Sequence, residues 1–229
     1  MDAAATDPDT AAPLNVAAVV QHHPARRALL PSLLAALDGL RPQVVSDEAD
    51  NLHWNAWQMY LRCLRAAPAD CSHLLTIQDD ARCCRHFNTV LPKVLAAKPE
   101  EIVCLYVGGG GIGQGVVRAA DACRNWTRLP GQLWLPLVAT VLPITIVAQV
   151  LAWADQDEVA RRARMDDGMM GRFLRQRKLH AWATVPSLVQ HPDQVESLIR
   201  RRAAKGRDRH RVAACYIGEW SPLDIHWEG

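Results

Sequence analysis

A chain of 229 residues with 49% hydrophobic and 22% charged side chains has the make-up of an ordinary globular protein and excludes collagen-like or wholly disordered classes. Its length is enough to bury a sizeable core without disulfide help, and a formal charge of +2 is too small to call for a nucleic-acid partner by itself. Seven cysteines, an odd count without a C-x-x-C pair, argue against a zinc framework or disulfide scaffold and for buried thiols in a reducing, cytoplasmic setting.

Residues 1–13, MDAAATDPDTAAP, lack both a basic and an apolar stretch and read as a disordered tail, not a signal peptide. A single domain is expected over 14–220, with a short carboxyl-terminal tail over 221–229. Val16 to Val20 is an apolar strand ending in Gln21-His22-His23-Pro24. Arg26 to Leu40 follows with helical spacing of leucines, closed by Gly39 and Pro42. Gln43 to Ser46 is a second strand, with Asp47, Glu48 and Asp50 directly after it, and Trp54 to Ala67 returns to helical periodicity. His73 to Ile77 (HLLTI) is a strand that runs into Gln78-Asp79-Asp80, and a helix is expected from Cys84 to Ala97.

The first hundred residues therefore read β-α-β-α-β-α, an alternation that predicts a parallel sheet with right-handed crossovers. Ligands of such sheets bind outside the carboxyl ends of the strands, where this chain places QHHP, DEAD and QDD. Glu101 to Val107 is a fourth strand, followed by GGGGIGQG. Gln132 to Leu142 is expected as a strand, Ile144 to Trp153 as a helix, Gly168 to Gln176 as a helix, and Lys178 to Val185 as the last core strand. A basic helix around Ser197 to Lys205 follows. Leu133 to Trp153 approaches the roughly 20 apolar residues of a spanning helix, but Pro136 and Pro143 break it, so no integral membrane segment is expected.

Two adjacent carboxylates at the end of a buried strand are costly, because like charges close together resist ionising. A divalent cation removes that cost and creates a diphosphate site. The plainer alternative is that Asp80 caps the helix after it.

HLLTIQDDARCCRHF resembles the segment around the metal-binding acidic motif of GT-A glycosyltransferases, in which an apolar strand ends in DxD or a variant such as QDD. TVPSLVQHPDQVES and YIGEW are similar to later segments of such enzymes. The resemblance implies an α/β fold of GT-A (Rossmann-like) type, a mixed, mostly parallel sheet flanked by helices. It implies a nucleotide-sugar half over 14–107 and an acceptor half over 108–220. The donor would be a UDP- or GDP-sugar held with Mn²⁺ or Mg²⁺. By the same resemblance Asp80 and His191 would bind the metal. Asp79, with Gln78 beside it, would contact the ribose or a metal-bound water, and Asp47 the base or ribose. His22 and Arg26 would lie under the nucleotide, and Asp167, with Asp166 next to it, would be the general base of an inverting enzyme. Simpler roles stand beside these: turn histidines at 22 and 23, a loop histidine at 191, and helix capping at 166–167.

Gly108, Gly110 and Gly113 also fit G-x-G-x-x-G, which keeps an NAD(P)-binding reading open. Against it, the expected next strand carries no acidic residue at its end, and a flexible loop suits the glycines as well. Tryptophan is abundant, with eight residues, and most should be packing. Arginines cluster at 161, 162 and 164, at 172, 175 and 177, and at 200–202 with Lys205, Arg207, Arg209 and Arg211, as for a surface that meets a polyanion. QDDA-x-C-C-x-x-F and the final YIG resemble small phage-type glycosyltransferases that decorate hydroxymethylated pyrimidines in DNA, implying a DNA acceptor and a bacterium or phage-infected host. A surface-polysaccharide or lipid-linked acceptor, and a binding module without catalysis, remain as alternatives.

Overall fold

The computed structural model describes residues 14–47, 55–129, 135–192 and 211–228. The strands are β1 (Val16–His22), β2 (Gln43–Ser46), β3 (His73–Gln78), β4 (Arg82–Cys83), β5 (Ile102–Cys104), β6 (Trp126–Leu129), β7 (Ala139–Pro143), β8 (Ala181–Thr184) and β9 (Val189–Gln190). The helices are α1 (Leu30–Ala36), α2 (Ala56–Arg65), α3 (Phe87–Ala97), α4 (Gly111–Asp121), α5 (Ile144–Gln156), α6 (Glu158–Arg162) and α7 (Asp166–Arg177), and a 3-10 turn spans Pro24–Leu29.

Seven strands form one mixed sheet in the order β2-β1-β3-β7-β5-β8-β6, and β4 and β9 pair separately. Five of the seven run in one direction; β7 and β6 are reversed. The fold is thus an α/β sheet, mostly parallel in strand direction and flanked by helices, of Rossmann-like kind.

Every residue of β1 is buried, because the sheet is covered on both faces. Ala17, Val19, Leu74 and Leu142 pack in one core with α2, α4, α5 and α7. Ala18, Val20, Leu75, Ile77 and Val141 pack in the other with Leu33 of α1, Leu37 just after it, and Phe87, Val90 and Leu91 of α3. The period of two along the strands and the leucine spacing of the helices are the sequence causes of this layering.

Several expectations need correction. The glycine run is no open loop, since Gly111–Asp121 is helical. The strand expected over 132–142 begins only at Ala139, and its first residues, 132–134, lie outside the described residues. β6 went unforeseen, because a four-residue edge strand gives too little alternation to recognise. The helix expected from Arg26 starts as a 3-10 turn at Pro24, whose fixed φ suits a first helical position. Residues 222–224, expected as tail, form a short 3-10 turn, and Trp227 is buried against Trp126. No helix among the described residues is long and apolar enough to cross a membrane. The expected tail over 1–13, the basic helix around 197–205, and Glu48, Asp50, Trp54 and Trp134 lie outside the described residues.

Candidate functional site

The parallel trio β2-β1-β3 brings three strand ends together in register. Asp47 N–H donates to His22 C=O at 3.0 Å, and Asp79 N–H donates to Gln21 C=O at 3.0 Å. Gln78 is half-buried; its N–H donates to Val138 C=O at 2.9 Å, and its C=O accepts from Ala81 N–H at 3.0 Å, which turns the chain at the sheet edge. Asp47, His22, Asp79, Asp80 and His191 are all at least nine-tenths buried.

Asp79 points back under the end of β1. Its Oδ2 accepts from His23 N–H at 2.7 Å and lies 2.9 Å from His22 Nδ1, while Oδ1 accepts from Arg26 Nη1 at 3.0 Å. The 3-10 turn after Pro24 is what carries Arg26 over the two carboxylates. Asp80 Oδ2 meets Arg26 Nη1 at 2.6 Å, His191 Nε2 at 2.9 Å and Arg211 Nη2 at 3.4 Å. Arg211 also contacts His191 Nε2. Burial pushes the Asp80 carboxyl up, but the hydrogen bond and charge of His191, with Arg26 and Arg211, outweigh it and hold the group below the usual carboxylate value.

These contacts revise the physical premise read from the sequence. The acidic pair does not depend on a bound cation to be tolerable, because two guanidiniums and two imidazoles of the chain already surround it. Among the described residues no group of three or more His, Cys, Asp or Glu side chains is arranged to hold a metal ion. One carboxylate oxygen is nevertheless left open among the described residues. Asp80 Oδ1 is buried and without a hydrogen-bond partner among the described residues, and His191 Nε2 adjoins the same carboxylate. Mg²⁺-type sites often take one or two protein ligands and fill the rest with phosphate oxygens and water.

The second acidic pair opens α7. Met165 takes the N-cap position, so neither aspartate is the cap. Asp166 is buried, with Oδ1 accepting Asp167 N–H at 2.9 Å and Oδ2 lacking a partner among the described residues. Burial first, then the charge of Asp167, push its carboxyl up to about 6. Asp167 is half-buried and accepts Gly168 N–H at 2.7 Å. Leu135 N–H donates to Asp167 C=O at 3.0 Å, and Val138, three residues on, is the partner of Gln78. Both acidic pairs therefore border the 135–138 loop.

The glycine run serves packing. Gly110 has φ +93°, and a Cβ on Gly113 would come within 2.5 Å of Gly108 C=O. The loop backbone is engaged by a carboxyl-terminal strap, 211–217: Gly109 N–H donates to Val212 C=O at 3.2 Å, and Gly108 bridges Ala213. An amide that a dinucleotide pyrophosphate would need is thus already used.

Arg211 is the residue whose place the sequence hid. It closes an arginine run that resembles an exposed polyanion surface, and only the strap's path turns it inward. His23 likewise contributes through its backbone, which no side-chain motif reveals. The chain matches no protein-family model and no curated protein.

Proposed function

We propose that the carboxyl edge of β1, β2 and β3 binds the nucleoside diphosphate of a nucleotide-sugar, and that the protein is a glycosyltransferase acting on a hydroxyl acceptor. The observation that carries this reading is Asp80: a buried carboxylate at the end of a central strand, with one oxygen unpartnered among the described residues and Arg26, Arg211 and His191 around the other. Guanidiniums are suited to bidentate binding of phosphate oxygens. Asp80 and His191 would hold Mn²⁺ or Mg²⁺, which supplies charge neutralisation for the leaving diphosphate. Asp47 and His22 would flank the nucleoside from the ends of β2 and β1.

For the transfer itself a carboxylate has to accept the acceptor's hydroxyl proton. The acceptor oxygen then bonds to the anomeric carbon as the bond from that carbon to the diphosphate oxygen breaks, and the nucleoside diphosphate leaves with the bonding pair. Asp166 suits the base role better than Asp167, because a carboxyl near 6 is the stronger base and its Oδ2 lacks a partner among the described residues. The proposed acceptor is a 5-hydroxymethylpyrimidine in DNA, in keeping with the exposed Arg161, Arg164 and Arg177 around α6 and α7.

A thermal-shift comparison of UDP and GDP, with and without Mn²⁺, tests the donor site. A nucleotide at a hundredfold its Kd should add about 2.7 kcal/mol of stability. Stabilisation should require the metal and vanish in Asp80→Asn. No shift with any nucleoside diphosphate would remove the reading. Hydroxymethylated DNA and a labelled donor sugar then test the acceptor.

A further inference from the structure

α4 leaves room beside the edge strand β6. Gly111, Gly115, Arg118 and Ala122 recur at helical spacing along one side of the helix and line a cavity of about 670 Å³ against that strand. The space is a consequence of the glycines. A Cβ on Gly115 would meet only Thr127 Oγ1, at 3.9 Å, and one on Gly111 would meet nothing within 4 Å. β6 is the last strand of the sheet, so the cavity lies at the sheet margin, where a linear chain can enter and leave.

The lining carries one sign of charge. Arg118 comes from α4, Arg124 from the turn after it and Arg128 from β6; all three are exposed, and no acidic side chain lines the cavity. Asp121, the nearest acid in sequence, is outside the lining, and its charge acts on Cys215 of the strap. Arg118 and Arg124 pair with no carboxylate among the described residues, and Arg128 Nη2 donates to His180 Nδ1 at 2.8 Å, an acceptor without negative charge. Guanidiniums gathered without counter-ions favour phosphate oxygens. Trp126 and Trp182 line the same space, with Lys98 Nζ 5.6 and 4.5 Å from their ring centroids. Trp182 is only half-buried, and an indole with open surface is a platform on which any base can stack.

We infer that the α4–β6 cavity binds a segment of single-stranded nucleic acid, with phosphates on Arg118, Arg124 and Arg128 and a base against Trp182. A polynucleotide brings both chemistries, whereas an acidic protein or a sulfated glycan brings charge without the planar bases. Binding there requires neither a nucleotide-sugar nor a divalent cation, so this surface stands apart from Asp80. It also goes beyond the DNA-acceptor reading, which draws on arginines of α6 and α7.

The test follows the fluorescence anisotropy of a labelled oligothymidylate of about 12 nucleotides, within the span of single-strand sites, added to the full chain without metal or nucleotide-sugar. Three phosphate contacts should make log K fall with log salt at a slope of about −2, an affinity loss of about twentyfold between about 50 and 200 mM. Arg118→Ala, Arg124→Ala and Arg128→Ala should each flatten the slope by about 0.7. Arg41→Ala, just before β2 at the opposite edge of the sheet, should leave it unchanged. The three lining arginines are exposed, so these variants should keep the near-ultraviolet circular dichroism of the wild type. Gly115→Leu fills the cavity and keeps every arginine; it should weaken binding of the thymidylate but not of an abasic strand of the same length. Equal affinity of the wild type for the thymidylate, the abasic strand and heparin means a polyanion surface alone and overturns the inference. Loss of binding confined to Arg161→Ala and Arg177→Ala also overturns it, moving the strand to α6 and α7 and leaving the acceptor reading standing. Absence of binding by the wild type at the lower salt overturns it as well, and none of these outcomes bears on the donor site, whose test uses nucleotide and Mn²⁺.

Discussion

Asp79 is used up by its surroundings, and Asp80 is not. Asp79 accepts His23 N–H and Arg26 and lies against His22, whereas Asp80 keeps one oxygen without a partner among the described residues. Asp79 is therefore held on both oxygens by the fold, while Asp80 keeps one acceptor position open among the described residues. Removing one partner of a buried ion pair typically costs about 3–5 kcal/mol, because the other charge stays buried. Asp79→Ala should lose stability on that scale, read from the urea midpoint; a loss under about 1 kcal/mol would contradict the network described. Asp166 predicts the opposite sign. Its carboxyl ionises near 6 in the folded chain against 3.8 as the ordinary value, so the folded state holds the proton more tightly. Its contribution is fully present below about 4, is lost as pH rises through about 6, and amounts to roughly 3 kcal/mol at most. Asp166→Asn should accordingly raise stability at neutral pH and flatten its fall between those two values, while lowering transfer activity by about 10²–10⁴. Denaturant melts at several pH values check the first half, and initial rates the second.

At the scale of elements, the strap and the β5–α4 glycine run form one unit. Gly113 sits where a Cβ would collide with Gly108 C=O at 2.5 Å and meet the Ala214 side chain at 3.0 Å. Gly113→Ala has to push α4 or the strap away, at a cost of typically 1–3 kcal/mol for overpacking. Amide exchange should then speed up at Gly109 and Ala214, whose N–H groups join the loop to the strap. Gly111→Ala is the control: nothing lies within 4 Å of its Cβ position, so stability should hardly change.

For the molecule as a whole, the two cores on either face of the sheet are closed by segments distant in sequence. Trp227, from beyond the expected end of the domain, packs edge-on to Trp126 of β6 with ring centroids 5.7 Å apart. Asn125 Nδ2 donates to His226 C=O at 2.6 Å beside them. Truncating a buried tryptophan costs about 3–5 kcal/mol. Trp227→Ala, or ending the chain after Trp220, should lower the thermal midpoint by several degrees in calorimetry and loosen the β6 edge. A melt of the 229-residue chain would then differ from that of a chain cut to the boundary the sequence suggested.

The sequence by itself determined the local pieces. Apolar runs bounded by polar turns marked β1, β2, β3 and β8, apolar residues at helical spacing marked α2 and α3, and the halt of HLLTI at Gln78-Asp79-Asp80 marked the candidate site. These depend on neighbours along the chain, so a linear reading reaches them. Only the tertiary structure decided that β7 enters reversed between β3 and β5, since the direction of a strand is not written in its periodicity. It alone decided that Arg26, His191 and Arg211, from three separate stretches of chain, converge on one carboxylate. Charges act through space, and the counter-ions that make a buried acidic pair bearable were 54, 111 and 131 positions away from Asp80 in the chain.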